Sequence, residues 1–133
     1  EVSGEWDVLP ALTLGGNYTY LHRSVDDPQR PDLKPVGTPE QLAYLYAHWR
    51  PIEQLTITPS VELSDSRYSS NRFEDAFMSV PGYSHFNLNM EYQFTKQASV
   101  SVGIRNILDK NYELADGYPE PGRTFYLSTR LTF

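Results

Sequence analysis

Residues 86–94 read Phe-Asn-Leu-Asn-Met-Glu-Tyr-Gln-Phe, apolar at every even position and polar at every odd one. Side chains alternate across a strand, so this segment builds a strand with one wholly apolar face. The same period returns elsewhere. Leu55, Ile57, Pro59, Val61 and Leu63 alternate with Thr56, Thr58, Ser60, Glu62 and Ser64, and Ala98, Val100, Val102 and Ile104 with Ser99, Ser101, Gly103 and Arg105. In the last strand Phe125, Leu127, Leu131 and Phe133 share the apolar side, with Thr129 its one weak place. No stretch carries a helical period. A chain of one-sided strands must cover its apolar face with a second sheet or with lipid.

Seven strands are predicted, roughly at 1–8, 11–23, 40–50, 53–67, 82–94, 98–108 and 123–133. Leu12, Leu14, Gly16, Tyr18 and Tyr20 share a face of the second. The third is apolar on both sides, and we orient Ala43, Leu45, Ala47 and Trp49 outward with Tyr44, Tyr46 and His48 inward. Connections alternate strictly: short at Leu9-Pro10, Arg50-Pro51-Ile52 and Thr95-Lys96-Gln97, long over 24–39, 68–81 and 109–122. The long ones hold most of the ten prolines. A soluble barrel has no reason for this asymmetry, whereas outer-membrane barrels pair short turns at one rim with long loops at the other. Aromatics follow the same frame. Trp6, Trp49, Tyr92, Phe94 and Phe133 lie at the short-turn end, and Tyr18, Tyr20, Tyr68, Tyr83 and Phe125 toward the long loops, as two interfacial bands would. Mid-strand, Pro59 predicts a bulge or a lost ladder bond.

Composition is consistent with this architecture. Mean hydropathy is −0.52 and no apolar run nears the roughly 20 residues of a membrane helix. A barrel that alternates a lipid face with a wet lumen still averages to a polar sequence. The soluble alternative is an antiparallel sandwich with the Tyr and Phe residues in its core. A net charge of −6 argues against a nucleic-acid partner, and the absence of cysteine removes disulfides, cysteine-ligated zinc and thiol chemistry.

Catalytic patterns are missing as well. His22, His48 and His85 fall on separate predicted strands without ligand spacing, and there is no G-x-S-x-G, phosphate loop or zinc motif. No catalytic, cofactor or metal residue is therefore assigned. Glu62, Glu91, Arg105 and Arg130 alternate with the apolar face and are expected to point into a polar lumen, to hold what fills it or to line a path through it.

The end of the chain resembles the C-terminal β-signal of bacterial outer-membrane proteins, on Phe125, Leu127, Leu131 and Phe133. That resemblance implies recognition by the barrel-assembly machinery through strand addition. The run Val102-Gly103-Ile104-Arg105-Asn106-Ile107-Leu108-Asp109-Lys110-Asn111-Tyr112-Glu113 is similar to the NLFDKxY element before the final strand of TonB-dependent receptors. Gly117-Tyr118-Pro119-Glu120-Pro121-Gly122-Arg123-Thr124-Phe125 resembles their GYPxPGRxF entry into that strand, and Thr38-Pro39 with Trp49-Arg50-Pro51 their GTPxH…YRP stretch. Ile107-Leu108 and Glu40-Gln41 depart from the commoner residues. Asn106, Asp109 and Asn111 are turn formers, read as setting loop geometry rather than touching ligand.

The resemblance implies an all-β, antiparallel up-and-down transmembrane β-barrel segment: about seven strands, residues 1–133, from the C-terminal part of a larger barrel, about 22-stranded, with a plugged lumen. Plug domain and TonB box are absent from these residues. The implied function is non-enzymatic import of a scarce nutrient such as a ferric siderophore, haem or cobalamin across the outer membrane of a Gram-negative bacterium. Implied partners are outer-membrane lipid, the rest of the barrel and plug, the TonB complex and a small-molecule nutrient. The alternative is a small structural or adhesive outer-membrane barrel, which would need an eighth strand. Phe133→Ala in the full-length protein is expected to lower the amount of heat-modifiable barrel in the outer membrane; unchanged levels would remove the assembly-signal assignment.

Overall fold

The computed structural model describes residues 1–71 and 76–132. Seven long strands form one antiparallel sheet: β1 (Val2–Leu9), β2 (Leu12–Tyr20), β3 (Gln41–Ile52), β4 (Leu55–Ser64), β7 (Tyr83–Thr95), β8 (Ala98–Arg105) and β11 (Thr124–Leu131). Their spatial order follows the chain, β1-β2-β3-β4-β7-β8-β11, an up-and-down meander with β1 and β11 at its open edges. Lengths from 8 to 13 residues bracket the roughly 9–11 that cross a bilayer when tilted.

Register decides the faces. Directly opposed residues of an antiparallel pair lie on the same side of the sheet. One row runs Leu12↔Trp49↔Ile57↔Met90↔Val102↔Leu127 across six strands, and another runs Gly4↔Gly16↔Leu45↔Val61↔Phe86. The apolar combs of separate strands thus merge into one surface. That surface orients the ambiguous third strand as expected, with Ala43, Leu45, Ala47 and Trp49 on it and Tyr44, Tyr46 and His48 opposite. Nothing covers it within the described residues. Trp6 is 68% exposed and Leu127 70%, while Val80 is the one buried apolar side chain among them. A sandwich would bury Leu, Ile, Phe and Tyr between two sheets, so the soluble alternative fails; a comb this exposed suits lipid.

Several details differ from expectation. The turn between β3 and β4 is Glu53-Gln54, because β3 continues through Arg50 and Pro51 to Ile52. Pairing shifts between Trp49 and Ile52, and a proline is tolerated at such an irregularity. At Pro59 the ladder toward β7 is continuous, but toward β3 it stops at Tyr46↔Ser60 and resumes at Trp49↔Ile57 in the same register. The ladder is interrupted without a bulge, and His48 Nδ1 meets Thr58 Oγ1 across the gap at 3.1 Å.

The long connections contain strands of their own. β5 (Arg67–Asn71) and β6 (Ala76–Val80) form one hairpin, and β9 (Glu113–Ala115) with β10 (Tyr118–Pro119) another. The predicted strand 53–67 therefore ends at Ser64, and β5 begins after Asp65-Ser66. Two aromatics leave the outer band. Tyr83 opposes Ser64 on the polar face, as its odd position requires, and Tyr68 belongs to the β5–β6 hairpin. Phe133 lies outside the described residues.

A charge distinguishes the two faces. In the full-length protein folded into lipid vesicles, Val102→Arg should lower unfolding free energy by about 2–4 kcal/mol, while Ser101→Arg on the other face should cost under about 1 kcal/mol. Equal effects in denaturant titrations would contradict the lipid-facing assignment.

Candidate functional site

The polar face carries its own rows. Ser3↔Asn17↔Tyr44↔Glu62↔His85 crosses five strands, so Glu62 of β4 sits between Tyr44 of β3 and His85 of β7. Tyr83, two residues before His85 and diagonal to Glu62, donates its hydroxyl to Glu62 Oε1 at 2.6 Å. His85 Nε2 is 3.6 Å from Glu62 Oε2. The rings of Tyr83 and His85 stand 5.3 Å apart, and Tyr112 closes a triangle with them at 4.5 and 5.2 Å.

Arg67, the first residue of β5, completes the cluster. Its guanidinium lies 5.5 Å from the Tyr83 ring centroid, and Nη2 donates to Ser64 Oγ at 2.6 Å. Arg67 Nε and His85 Nδ1 are buried without a hydrogen-bond partner among the described residues. Buried polar groups are usually paired, so these two leave the interior of the cluster incompletely satisfied among the described residues. Beside it a cleft of about 290 Å³ opens between Pro81-Gly82 and the chain around Tyr112, Glu113 and Pro119.

Tyr112 reaches the cluster through a turn built by the 106–112 motif. Asn106 and Asp109 adopt left-handed backbone, φ 52° and 53°, a conformation that Asn and Asp tolerate better than most residues. Asn106 is 2% exposed. Its carboxamide accepts from the Lys110 N–H at 3.0 Å and donates to the Lys110 carbonyl at 2.8 Å. The Asn106 N–H donates to Asn87 Oδ1 on β7 at 3.1 Å, and the Ile107 N–H to the Phe86 carbonyl at 2.9 Å. Asp109 Oδ1 accepts the Arg123 N–H at 2.7 Å and thereby fixes the start of β11. Asn106 and Asp109 act as loop-setting residues, as read from their types. Burial pushes the Tyr112 hydroxyl pKa upward, and the Glu120 and Glu62 carboxylates add to that, so this hydroxyl stays neutral.

All three long connections meet here. The 21–40 segment pairs with β5 through a parallel bridge Val36↔Tyr68, with the Gly37 N–H donating to the Tyr68 carbonyl at 2.8 Å and Lys34 Nζ 5.8 Å from the Tyr68 ring. β9 packs against both β5 and β6. The loop rim is one structure keyed on the β5–β6 hairpin.

Of the residues picked from sequence, Glu62 is in the cluster. Glu91 opposes Thr56 and Ser101, Arg130 opposes Ser99, and Arg105 lies over the Tyr126 ring at 5.3 Å; all four sit opposite the apolar comb, but not together. Phe125, Leu127 and Leu131 are on the comb of β11 and strongly exposed. Sequence reasoning missed Arg67, Tyr83, His85 and Tyr112 as a set. Parity would have put Tyr83 and His85 on the Glu91 side; nothing local reports that Arg67 and Tyr112 fold back onto them.

A family model described as TonB dependent receptor-like, beta-barrel matches residues 1–107. The probable TonB-dependent siderophore receptor PirA of Acinetobacter baumannii is 27% identical over 88% of this chain and 18% of its own length. The vitamin B12 transporter BtuB of Vibrio cholerae is 33% identical over 47% of this chain and 10% of its own. The ferric enterobactin receptor PfeA of Pseudomonas aeruginosa, solved with enterobactin, superimposes with a TM-score of 0.81 at 20% identity, covering 98% of this chain and 22% of that one. The chain thus spans no more than about a fifth of the length of these relatives.

The Asn106 side chain gives a direct check. Asn106→Ala removes its two side-chain hydrogen bonds to Lys110 from a buried site and should cost about 2 kcal/mol, with faster proteolysis within 107–122 of the full-length protein. Unchanged cleavage there would show that the loop is held by other contacts.

Proposed function

The chain belongs to the TonB-dependent receptor-like β-barrel family, and on that premise we propose that it forms part of the wall and outer rim of a nutrient importer. The family consists of receptors and transporters of the Gram-negative outer membrane, not enzymes. One observation carries the assignment to these residues: seven strands of matched register present a continuous apolar surface, with Val80 the one buried apolar side chain among those described.

The sheet is open at β1 and β11. Unpaired strand edges are not tolerated in hydrocarbon, so further strands of the same protein continue the ladder on both sides. The polar face then lines the lumen, and Glu62, Glu91, Arg105 and Arg130 meet the plug or the path beside it. Energy would come from TonB through a region outside these 133 residues. The last strand, with Phe125, Leu127, Leu131 and Phe133, would be the segment read by the assembly machinery. Family membership favours this reading over the small adhesive barrel.

The Glu62–Arg67–Tyr83–His85–Tyr112 cluster lies at the long-loop end of the polar face, where a ligand would first meet the wall. It combines aromatic surface and a guanidinium, the equipment for a polar ligand with flat, electron-rich parts. The named activities of the relatives suggest a ferric siderophore or a corrinoid as cargo, with haem the further possibility.

Deletion of the full-length gene in the producing bacterium, followed by uptake of labelled ferric siderophores, haem and cobalamin, tests the proposal. Loss of one uptake activity is expected, with Arg67→Ala or Tyr83→Ala weakening binding of that cargo about tenfold. Retention of all three activities under conditions in which the protein is expressed would overturn it.

A further inference from the structure

Two glycines on the polar face are occupied by someone else's ring. Gly15 of β2 opposes Tyr46 of β3, and Gly103 of β8 opposes Tyr126 of β11. In each case the tyrosine ring lies across the glycine so closely that a Cβ there would fall inside it. The hydroxyl then reaches the next strand over. Tyr46 donates to Glu5 of β1, and Tyr126 to Asn89 of β7 at 3.0 Å. The rows are Glu5↔Gly15↔Tyr46 and Asn89↔Gly103↔Tyr126, so the same three-strand strut is built twice from unrelated segments.

Their location is informative. Adjacent strands joined by tight turns, β1–β2, β3–β4 and β7–β8, have their register set largely by the turn. β2–β3 and β8–β11 are joined by long connections, over 21–40 and 106–123, which set no register of themselves. The apolar comb does not set it either. A slip by one residue would turn the comb inward, but a slip by two leaves every apolar residue outward. After such a slip Tyr126 would face Ser101 or Arg105, and Tyr46 would face Thr13 or Asn17, each with a side chain where the ring must lie.

We infer that Tyr46 with Gly15, and Tyr126 with Gly103, are positioning residues that select the native register of β2–β3 and β8–β11 against two-residue slips. They discriminate where hydrophobic patterning is blind. Each also ties an edge strand of this sheet, β1 or β11, to the strand two places in, so that the edge is aligned for whatever pairs with it next. The inference concerns strand register and does not depend on which cargo is carried.

Cysteine pairs on the apolar face read the register without touching the strut. In the full-length protein, freed of any other cysteine, Val102→Cys with Leu127→Cys reports the native register. Val102→Cys with Phe125→Cys or Thr129→Cys reports the slips. Opposed residues lie within disulfide reach, whereas positions offset by two are about 7–8 Å apart. Otherwise unaltered protein should cross-link in the native pair. Gly103→Val should lower the ratio of native to slipped cross-links at least about fivefold, roughly what one ordinary hydrogen bond supports. Tyr126→Phe, which keeps the ring and its volume, should lower it to a smaller extent and carries the test should Gly103→Val not assemble. Unchanged ratios in Tyr126→Phe and in any assembled Gly103→Val protein would overturn the inference, including the case in which thermal stability falls with no slip. Failure of the unaltered protein to fractionate with the outer membrane would instead strike the transport proposal.

Discussion

Backbone pairing in hydrocarbon is the constraint from which the other features of this sheet descend. A peptide group left unpaired in lipid costs several kcal/mol, because no water is present to replace the bond. Each strand therefore needs a neighbour on both sides, and the order β1-β2-β3-β4-β7-β8-β11 supplies one everywhere except at β1 and β11. Pro59 shows the constraint locally. It removes one ladder donor, the pairing toward β3 lapses over two positions, and the register is kept while His48 and Thr58 bond across the gap on the polar face.

Once the ladder is satisfied, the two faces have opposite tasks. The comb side needs no packing partner within the chain, which explains how a protein of this size has almost no buried apolar side chain among its described residues. The polar side uses tyrosine as its main structural material. Tyr46 and Tyr126 span glycines to reach Glu5 and Asn89, Tyr83 holds Glu62, and Tyr112 brings a loop down onto Tyr83 and His85. A phenol suits this place because its ring covers area while its hydroxyl remains able to bond in a wet lumen.

The long connections are organised rather than loose. β5–β6 receives the 21–40 segment on Tyr68 and β9 on its other contacts, and the third connection is anchored to β7 by the Asn106 N–H on the Asn87 side chain and to the start of β11 by the Asp109 side chain. Four short strands hide in these connections. Runs such as Tyr118-Pro119 are too brief to show a period, so their strand character comes from the partner and not from their own pattern.

The division between sequence and tertiary structure follows from range. Seven long strands, their sides and the contrast of short and long connections were legible at once, since a period of two and a turn are local properties. The 42–49 segment is apolar on both faces, so its orientation, with Ala43, Leu45, Ala47 and Trp49 outward, is fixed by pairing with its neighbours. The NLFDKxY-like motif was legible as a turn because Asn106 and Asp109 act within a few residues of themselves. What sequence alone could not decide was which distant residues meet. Arg67, Tyr83, His85 and Tyr112 come from three elements and converge only when β5 and the 106–112 turn fold back over β4 and β7. Register was equally hidden, because a hydrophobic comb reads the same after a two-residue slip; at β2–β3 and β8–β11 the ring seated over Gly15 or Gly103 tells one alignment from the next.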